Sequence, residues 1–263
     1  MKKCEKLREK ALLKAELDKL ALKENSKEGL EKFPDPLQIA KPKKDAYIAL
    51  MCALFSYGNV ENICNFLEKL DKENAFALID KSEKDIKEAF KNLTYKYRFQ
   101  SQSDVEQIFI TFAKLKKTYD LEKIFTEPYK KSGKVVDGIL NFIKIAYEIN
   151  PCKSKGYTHF FGKVWKKEPT SPLKRYNMFL RWMVRKSEID MGLWKQISTA
   201  DLLIPLDVHT KSVSLREGLL KRKSYDFKAV LELTQKLKEF DPKDPIKYDF
   251  ALYRLGQGGA SGT

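Results

Sequence analysis

Two short segments of the 263-residue chain hold residue types that could do covalent chemistry together. The first, Ser171-Pro-Leu-Lys-Arg-Tyr-Asn, leads into a helix with Lys174 in its first turn and Asn177 one turn later. A helix start carries unpaired N–H groups and the positive end of the dipole, which suits a phosphate. That positive end, and any burial, disfavour the ammonium form of a lysine placed there. Both effects lower its pKa, as a nucleophilic amine requires. The plain alternative is a solvated charge. The second segment, Ile204-Pro-Leu-Asp-Val-His-Thr, sets Asp207 after an apolar run and just before a helix. An aspartate there caps the helix by accepting from its first N–H groups. Those bonds also keep the carboxylate ionised, so a cap can double as a base. His209, two residues on, reads as a hydrogen-bonded or surface histidine before it reads as a ligand or base.

The elements that must hold these segments are helical almost throughout. Leu7, Leu12, Leu13, Leu17 and Leu20 recur at helical spacing in a Lys/Glu-rich N-terminal helix over residues 1–30. Pro34 and Pro36 then interrupt the pattern. The run DAYIALMCALFSY, residues 45–57, is almost continuously apolar and reads as a central buried helix. Gly58-Asn59 ends it in a turn, and an amphipathic helix resumes over 60–70. Ser82 with Asp85, and Ser103 with Glu106, have capping-box spacing, so helices are predicted to begin there. Residues 134–149 make another. The stretch 151–172 is the least regular, with Pro151, Gly156, Pro169 and Pro172 among Lys153, Lys155, Lys163, Lys166 and Lys167. Helices follow over 173–186, 207–220, 227–240 and 244–256, and the tail 257–263 is low-complexity and flexible. Clean strand alternation is absent. The class is all-α.

Composition gives the helices a purpose only in outline. The chain has 51 Lys+Arg against 36 Asp+Glu, a formal charge of +15, and 43% hydrophobic residues, enough for a core. So large a surplus repels itself in the compact state and suits a polyanion, nucleic acid before an anionic membrane. Cys4, Cys52, Cys64 and Cys152 lack the close spacing of a zinc or iron–sulfur site, and His159 and His209 are the only histidines. No metal and no cofactor are expected. Sparse cysteines, a charged N-terminal stretch and no bilayer-length apolar run predict a soluble cytoplasmic protein.

The segment IPLDVHTKSVSLREGL resembles the (V/P)-D-x-H-x-x-R-V segment of the helix–hairpin–helix DNA glycosylases, which include endonuclease III and the 8-oxoguanine glycosylases. In that superfamily the aspartate before the helix is the catalytic carboxylate. A hairpin followed by Lys-x-x-Asn or Lys-x-x-Asp supplies a nucleophilic lysine in the bifunctional members, and Lys174-Arg-Tyr-Asn177 stands in the corresponding place. The separation of 33 from Lys174 to Asp207 is similar to that of the archaeal 8-oxoguanine branch. From about residue 30 the chain also resembles an uncharacterised bacterial family sharing the blocks PDPL, YRFQ, KRYNMFLRWMVR, IPLD-H and DPIKYDFAL. Two departures matter. The superfamily hairpin reads Gly-x-Gly before the lysine, whereas here it is Ser171-Pro172-Leu173, and proline donates no N–H. The C-terminal four-cysteine cluster motif of endonuclease III is missing, since Cys152 is the last cysteine.

The resemblance implies an all-α helix–hairpin–helix glycosylase fold over 31–256. Its subdomains would span about 44–150 and 151–256, with the active site between them. It implies that Lys174 attacks C1′ of a damaged nucleoside while Asp207 assists, on a monomeric chain acting on duplex DNA with a flipped base. Around that pair, Arg175, Asn177 and His209 are candidate DNA contacts. Asp249 and Tyr253, four apart on one helix face, resemble the acid–aromatic pair with which the archaeal enzymes hold the base. Their plain alternative is an exposed aspartate beside a half-buried tyrosine. Arg98, Phe99 and Gln100 sit in a loop that mixes stacking and phosphate-binding types, with a gap-filling or pocket role as open as ordinary packing. Asn59 either fills the space left by a flipped base or is a plain turn asparagine. The basic surplus should concentrate around Lys174. The rival expectation is a non-catalytic DNA- or RNA-binding protein that keeps the fold.

Overall fold

Side-chain caps open most of the helices in the computed structural model of the chain, which describes residues 2–258, the side chains at 2–7, 9 and 257–258 excepted. The tail expected over 257–263 lies outside the described residues from 259 on. The helices are α1 (Lys2–Glu24), α2 (Lys27–Glu31), α3 (Pro36–Ala40), α4 (Ala46–Phe55), α5 (Val60–Lys72), α6 (Glu83–Ala89) and α7 (Gln102–Thr118). They continue with α8 (Leu121–Ser132), α9 (Val135–Ile149), α10 (Lys155–Phe161), α11 (Lys174–Val184), α12 (Val208–Arg216), α13 (Phe227–Lys238) and α14 (Asp249–Gly258). Extended pairing among the described residues amounts to the isolated bridges Tyr97–Gln100 and Lys186–Met191. The protein is all-α. No described helix is long and apolar enough to cross a membrane.

The single helix expected over 1–30 is broken after Glu24, where Ser26 caps α2, and three further departures from the sequence pattern have local reasons. The helix expected from Ser103 starts at Gln102, because Ser101 and Asp104 form the reciprocal capping box two residues earlier. The second is α8, which the pattern missed because Pro128 lies inside it. Proline removes the bond to the carbonyl four residues back. Here that carbonyl, on Ile124, accepts from Asn141 Nδ2 at 2.9 Å instead. The helix expected over 207–220 stops at Arg216, where Gly218 turns left-handed and Ser214 O accepts from both Leu219 N and Leu220 N.

The chain divides into two compact units, residues 34–167 and residues 1–33 with 168–263. In the first unit, α4 is the buried centre that its composition implies, with Ala49 to Phe55 inaccessible. Val105, Ile108, Phe109 and Phe112 of α7, Ile139, Phe142 and Ile143 of α9 and Phe160 and Phe161 of α10 are likewise buried. Their rings meet edge-on or tilted, as at Phe112–Phe160 and Phe160–Phe161, the arrangement aromatic quadrupoles favour.

The second unit is assembled from both ends of the chain. Leu17 and Ala21 of α1 are buried, whereas Leu12, counted in the apolar stripe by its spacing, is 71% exposed. Asp18 accepts from Tyr248 Oη at 2.8 Å and pairs with Lys247 Nζ at 3.0 Å. Burial opposes its charge, but these partners and Lys14 outweigh that and hold its carboxyl at about 2.

Candidate functional site

The hairpin before α11 is closed by its own residues. Leu173 takes the left-handed conformation (φ 53°, ψ 30°) and offers no side-chain cap to the first turn. Asn177 folds back on it, donating from its backbone N to Leu173 O at 3.0 Å and from Nδ2 to Pro172 O at 3.1 Å. Asn177 is buried and braces the turn, and its Oδ1 has no hydrogen-bond partner among the described residues. Lys174 and Arg175 are half-buried at the helix start. Among the described residues Lys174 makes no ion pair or hydrogen bond.

Asp207 is the N-cap of α12, as its position suggests, accepting from Thr210 N through Oδ1 at 2.7 Å. It is half-buried, and Ile204, Pro205 and Leu206 before it are buried anchors. Tyr225 Oη donates to Leu206 O at 2.8 Å. Burial first, and the neighbouring Asp207 charge second, push the Tyr225 phenol up to about 12. One carboxylate oxygen thus caps the helix while the other stays available.

Asp249 opens α14 and is buried, not the exposed aspartate of the plain reading. Its Oδ2 accepts from Arg181 Nη1. Burial pushes its carboxyl up to about 6; the Asp207 charge adds to this, while Arg181 and Lys174 oppose it. Asp249 therefore lies within electrostatic reach of both Lys174 and Asp207. Sequence reasoning missed what completes this cluster. Arg181 Nε donates to Asp190 Oδ1 at 3.0 Å, Arg185 also pairs with Asp190, and Arg185 Nη2 reaches Asp244 at 2.9 Å. The signal was present: an arginine inside the apolar run FLRWMV needs a buried counter-ion.

His209 and Tyr253 join α12 to α14. Their rings meet edge to face at 5.9 Å. A Cβ on Gly256 would lie 2.8 Å from His209 Cβ, so the two helices touch where that side chain is lacking. The half-buried His209 thus packs on α14.

The remaining candidates belong to the unit 34–167. Asn59 is exposed and caps α5, accepting from Asn62 N at 3.2 Å. Gln100 is fully buried, donates from Nε2 to Gly156 O at 2.9 Å and accepts from Tyr57 Oη. It is an internal brace. Arg98 and Phe99 are exposed at the tip of a tight turn closed by mutual backbone bonds of Tyr97 and Gln100. Lys153, Lys155, Lys163, Lys166 and Lys167 are all exposed in this unit. Among the described residues no group of three or more His, Cys, Asp or Glu side chains is arranged to hold a metal ion.

The second unit thus sets Lys174 at the start of α11 and the capping Asp207 before α12, and the charges of both act on the buried Asp249. A family model described as a protein of unknown function, DUF2400, matches residues 35–258, and the chain belongs to that family. No curated protein and no solved structure matches it.

Proposed function

We propose that the chain is a DNA glycosylase with AP lyase activity, removing an oxidised purine, 8-oxoguanine foremost, from duplex DNA. What supports this reading is that the charges of Lys174 and Asp207, 33 residues apart in sequence, both act on the buried Asp249 carboxyl. The helix–hairpin–helix glycosylase fold is part of the same reading. Leu173 adopts the left-handed conformation that glycine ordinarily supplies, so a hairpin without Gly-x-Gly still turns. Pro172 gives no N–H to a phosphate, which leaves the uncapped start of α11 and Arg175 for that contact.

The chemistry follows from the groups present. The Lys174 amine attacks C1′ of a flipped nucleotide, and the new C–N bond forms as the glycosidic bond breaks. The base departs with the bonding pair and takes up a proton. Asp207 accepts the proton lost by the attacking amine and stabilises positive charge developing on the sugar. Opening of the sugar ring gives a Schiff base. Loss of a C2′ proton then expels the 3′ phosphate and nicks the strand. Asp249 and Tyr253, one turn apart on α14, are assigned to the base itself.

Borohydride reduction in the presence of an 8-oxoguanine duplex tests this directly. A covalent protein–DNA adduct is expected, absent in Lys174→Gln. Binding without trapping across a panel of oxidised, alkylated and deaminated bases would mean a non-catalytic nucleic-acid-binding protein. No affinity for any nucleic acid would sink both readings.

A further inference from the structure

The tight turn carrying Arg98 and Phe99 is part of an aromatic and cationic surface that the lysine chemistry does not use. Phe99 is 59% exposed. Its ring lies parallel to that of Tyr57, 3° between planes and 6.0 Å between centroids. His159, also exposed, tilts against both rings, at 4.7 Å from Phe99 and 4.5 Å from Tyr57. The Arg98 guanidinium sits 5.7 Å from the centroids of Tyr57 and Phe99 alike.

This surface is rigidly backed. Gln100, fully buried, ties the turn to Gly156 and to the Tyr57 hydroxyl. Gly156 lies so close that a Cβ there would be 2.6 Å from Phe99 O. Arg98 is held at φ 49°, a left-handed conformation that costs a non-glycine residue energy and persists where its surroundings enforce it. An exposed phenylalanine in that setting is displayed, not misplaced.

Charge says what it is displayed to. The three segments that meet here, residues 46–60, 89–103 and 149–167, contain no Asp or Glu. They carry Lys91, Lys96, Lys153, Lys155, Lys163, Lys166 and Lys167, all exposed. Asp104, the next residue after the second segment, is buried and held by Ser101 and Ser154, and Glu88 pairs with Lys91. Aromatic faces with a surplus of exposed cations suit a flat π-system flanked by phosphates, the combination offered by an unpaired nucleobase in a single strand. A base still in a duplex has both faces covered by its neighbours and offers no face to stack on.

We infer that Tyr57, Arg98, Phe99 and His159 form a stacking platform for an unpaired base of single-stranded DNA, working independently of Lys174. The surface chemistry goes beyond the glycosylase reading; only the choice of DNA over RNA rests on it.

The test is fluorescence anisotropy of the full chain with a labelled oligothymidine, the matching duplex and an oligouridine, each across a salt series. Phe99→Ala is expected to weaken oligothymidine binding roughly tenfold at every salt concentration, leaving the slope of log Kd against log salt unchanged. Phe99→Trp restores affinity. Joint replacement of Lys153 and Lys155 by Gln flattens the slope instead. Because Phe99 is exposed, the variants should fold, which circular dichroism checks. Unchanged oligothymidine affinity in Phe99→Ala, tighter binding of the duplex, or tighter binding of oligouridine overturns the proposal. Failure to trap any lesion, with Phe99-dependent strand binding intact, sinks the glycosylase reading and leaves the platform standing; trapping with Phe99-indifferent binding does the reverse.

Discussion

Arg181 on α11 donates through Nη1 to Oδ2 of Asp249 at the start of α14, with both side chains nearly sealed from solvent, 2% and 10% exposed. The pair is one end of a chain of alternating charge, Asp249–Arg181–Asp190–Arg185–Asp244. Three carboxylates share two guanidinium groups, so one of them can be protonated without stranding a cation. Asp244 is 29% exposed and can be solvated; Asp190 is completely buried between both arginines. Asp249 also feels the Asp207 charge, and burial above all raises its carboxyl.

That raised carboxyl should show in the pH dependence of stability. In the unfolded chain it ionises near 3.8 and in the folded chain at about 6, chiefly through burial. Between those values the folded state holds the extra proton. Stability relative to Asp249→Asn should therefore fall as pH rises from about 4 to about 6, by about 3 kcal/mol in all. Asp18 runs the other way. Held at about 2, its contribution is present above 3.8 and lost as pH falls toward 2. Urea unfolding of wild type and Asp249→Asn across this range measures the difference, and a flat difference would remove the buried-acid assignment.

Asp190 is expected to be the costliest carboxylate to remove. It faces Arg181 and Arg185 with a fully buried side chain. Truncation would leave two buried guanidinium groups short of a counter-ion, at about 3–5 kcal/mol. Asp190→Ala should lower the unfolding free energy by that amount, while Glu83→Gln, whose partners Lys87 and Lys114 are exposed, should barely move the urea midpoint. Equal effects would mean that the network adds nothing beyond a surface pair.

This contrast also marks what the sequence could disclose. Helices were legible where caps and periodicity act locally: Asp45, Asn59, Ser82 and Asp207 all cap the helices that follow them. Pro128 hid α8, because what rescues it is Asn141, a residue of the next helix that no local pattern indicates. The candidate site divides in the same way. Asp207 advertises its cap through its position, whereas Lys174 stands out only through the resemblance of its segment. The Arg181–Asp249 pair joins residues 68 apart, and Tyr57, Phe99 and His159 come from three separate segments. Spacing within a segment cannot announce such meetings. Gln100 misled for a related reason: in a loop of charged and aromatic residues it looked like a contact, but its amide is consumed inside the fold.

The two roles of Asp207 can be separated by the choice of replacement. Asparagine caps a helix about as well as aspartate, whereas alanine costs about 1 kcal/mol. Asp207→Asn should keep the Thr210 N–H bond and near-native stability while losing the carboxylate charge. Its borohydride trapping rate should fall by about two to four orders of magnitude. Asp207→Ala should lose both the stability and the rate. Wild-type trapping in Asp207→Asn would leave the residue a cap and nothing more.

Gly58 offers the sharpest probe of the aromatic surface, because it never touches a ligand in the arrangement inferred above. Its φ of +101° is one that side chains rarely adopt, and a Cβ there would lie 2.3 Å from Arg98 Nη1. Gly58→Ala must therefore strain the turn and push the guanidinium off the Tyr57 and Phe99 rings. We expect a loss of about 1–2 kcal/mol in unfolding free energy. Oligothymidine affinity should drop to the level of Arg98→Ala, and combining the two substitutions should add nothing further to the binding defect, since both remove the same cation from the same place. Additive losses would show that Gly58 and Arg98 act on the bound strand separately, and that the guanidinium's seat over the rings is not what binding uses.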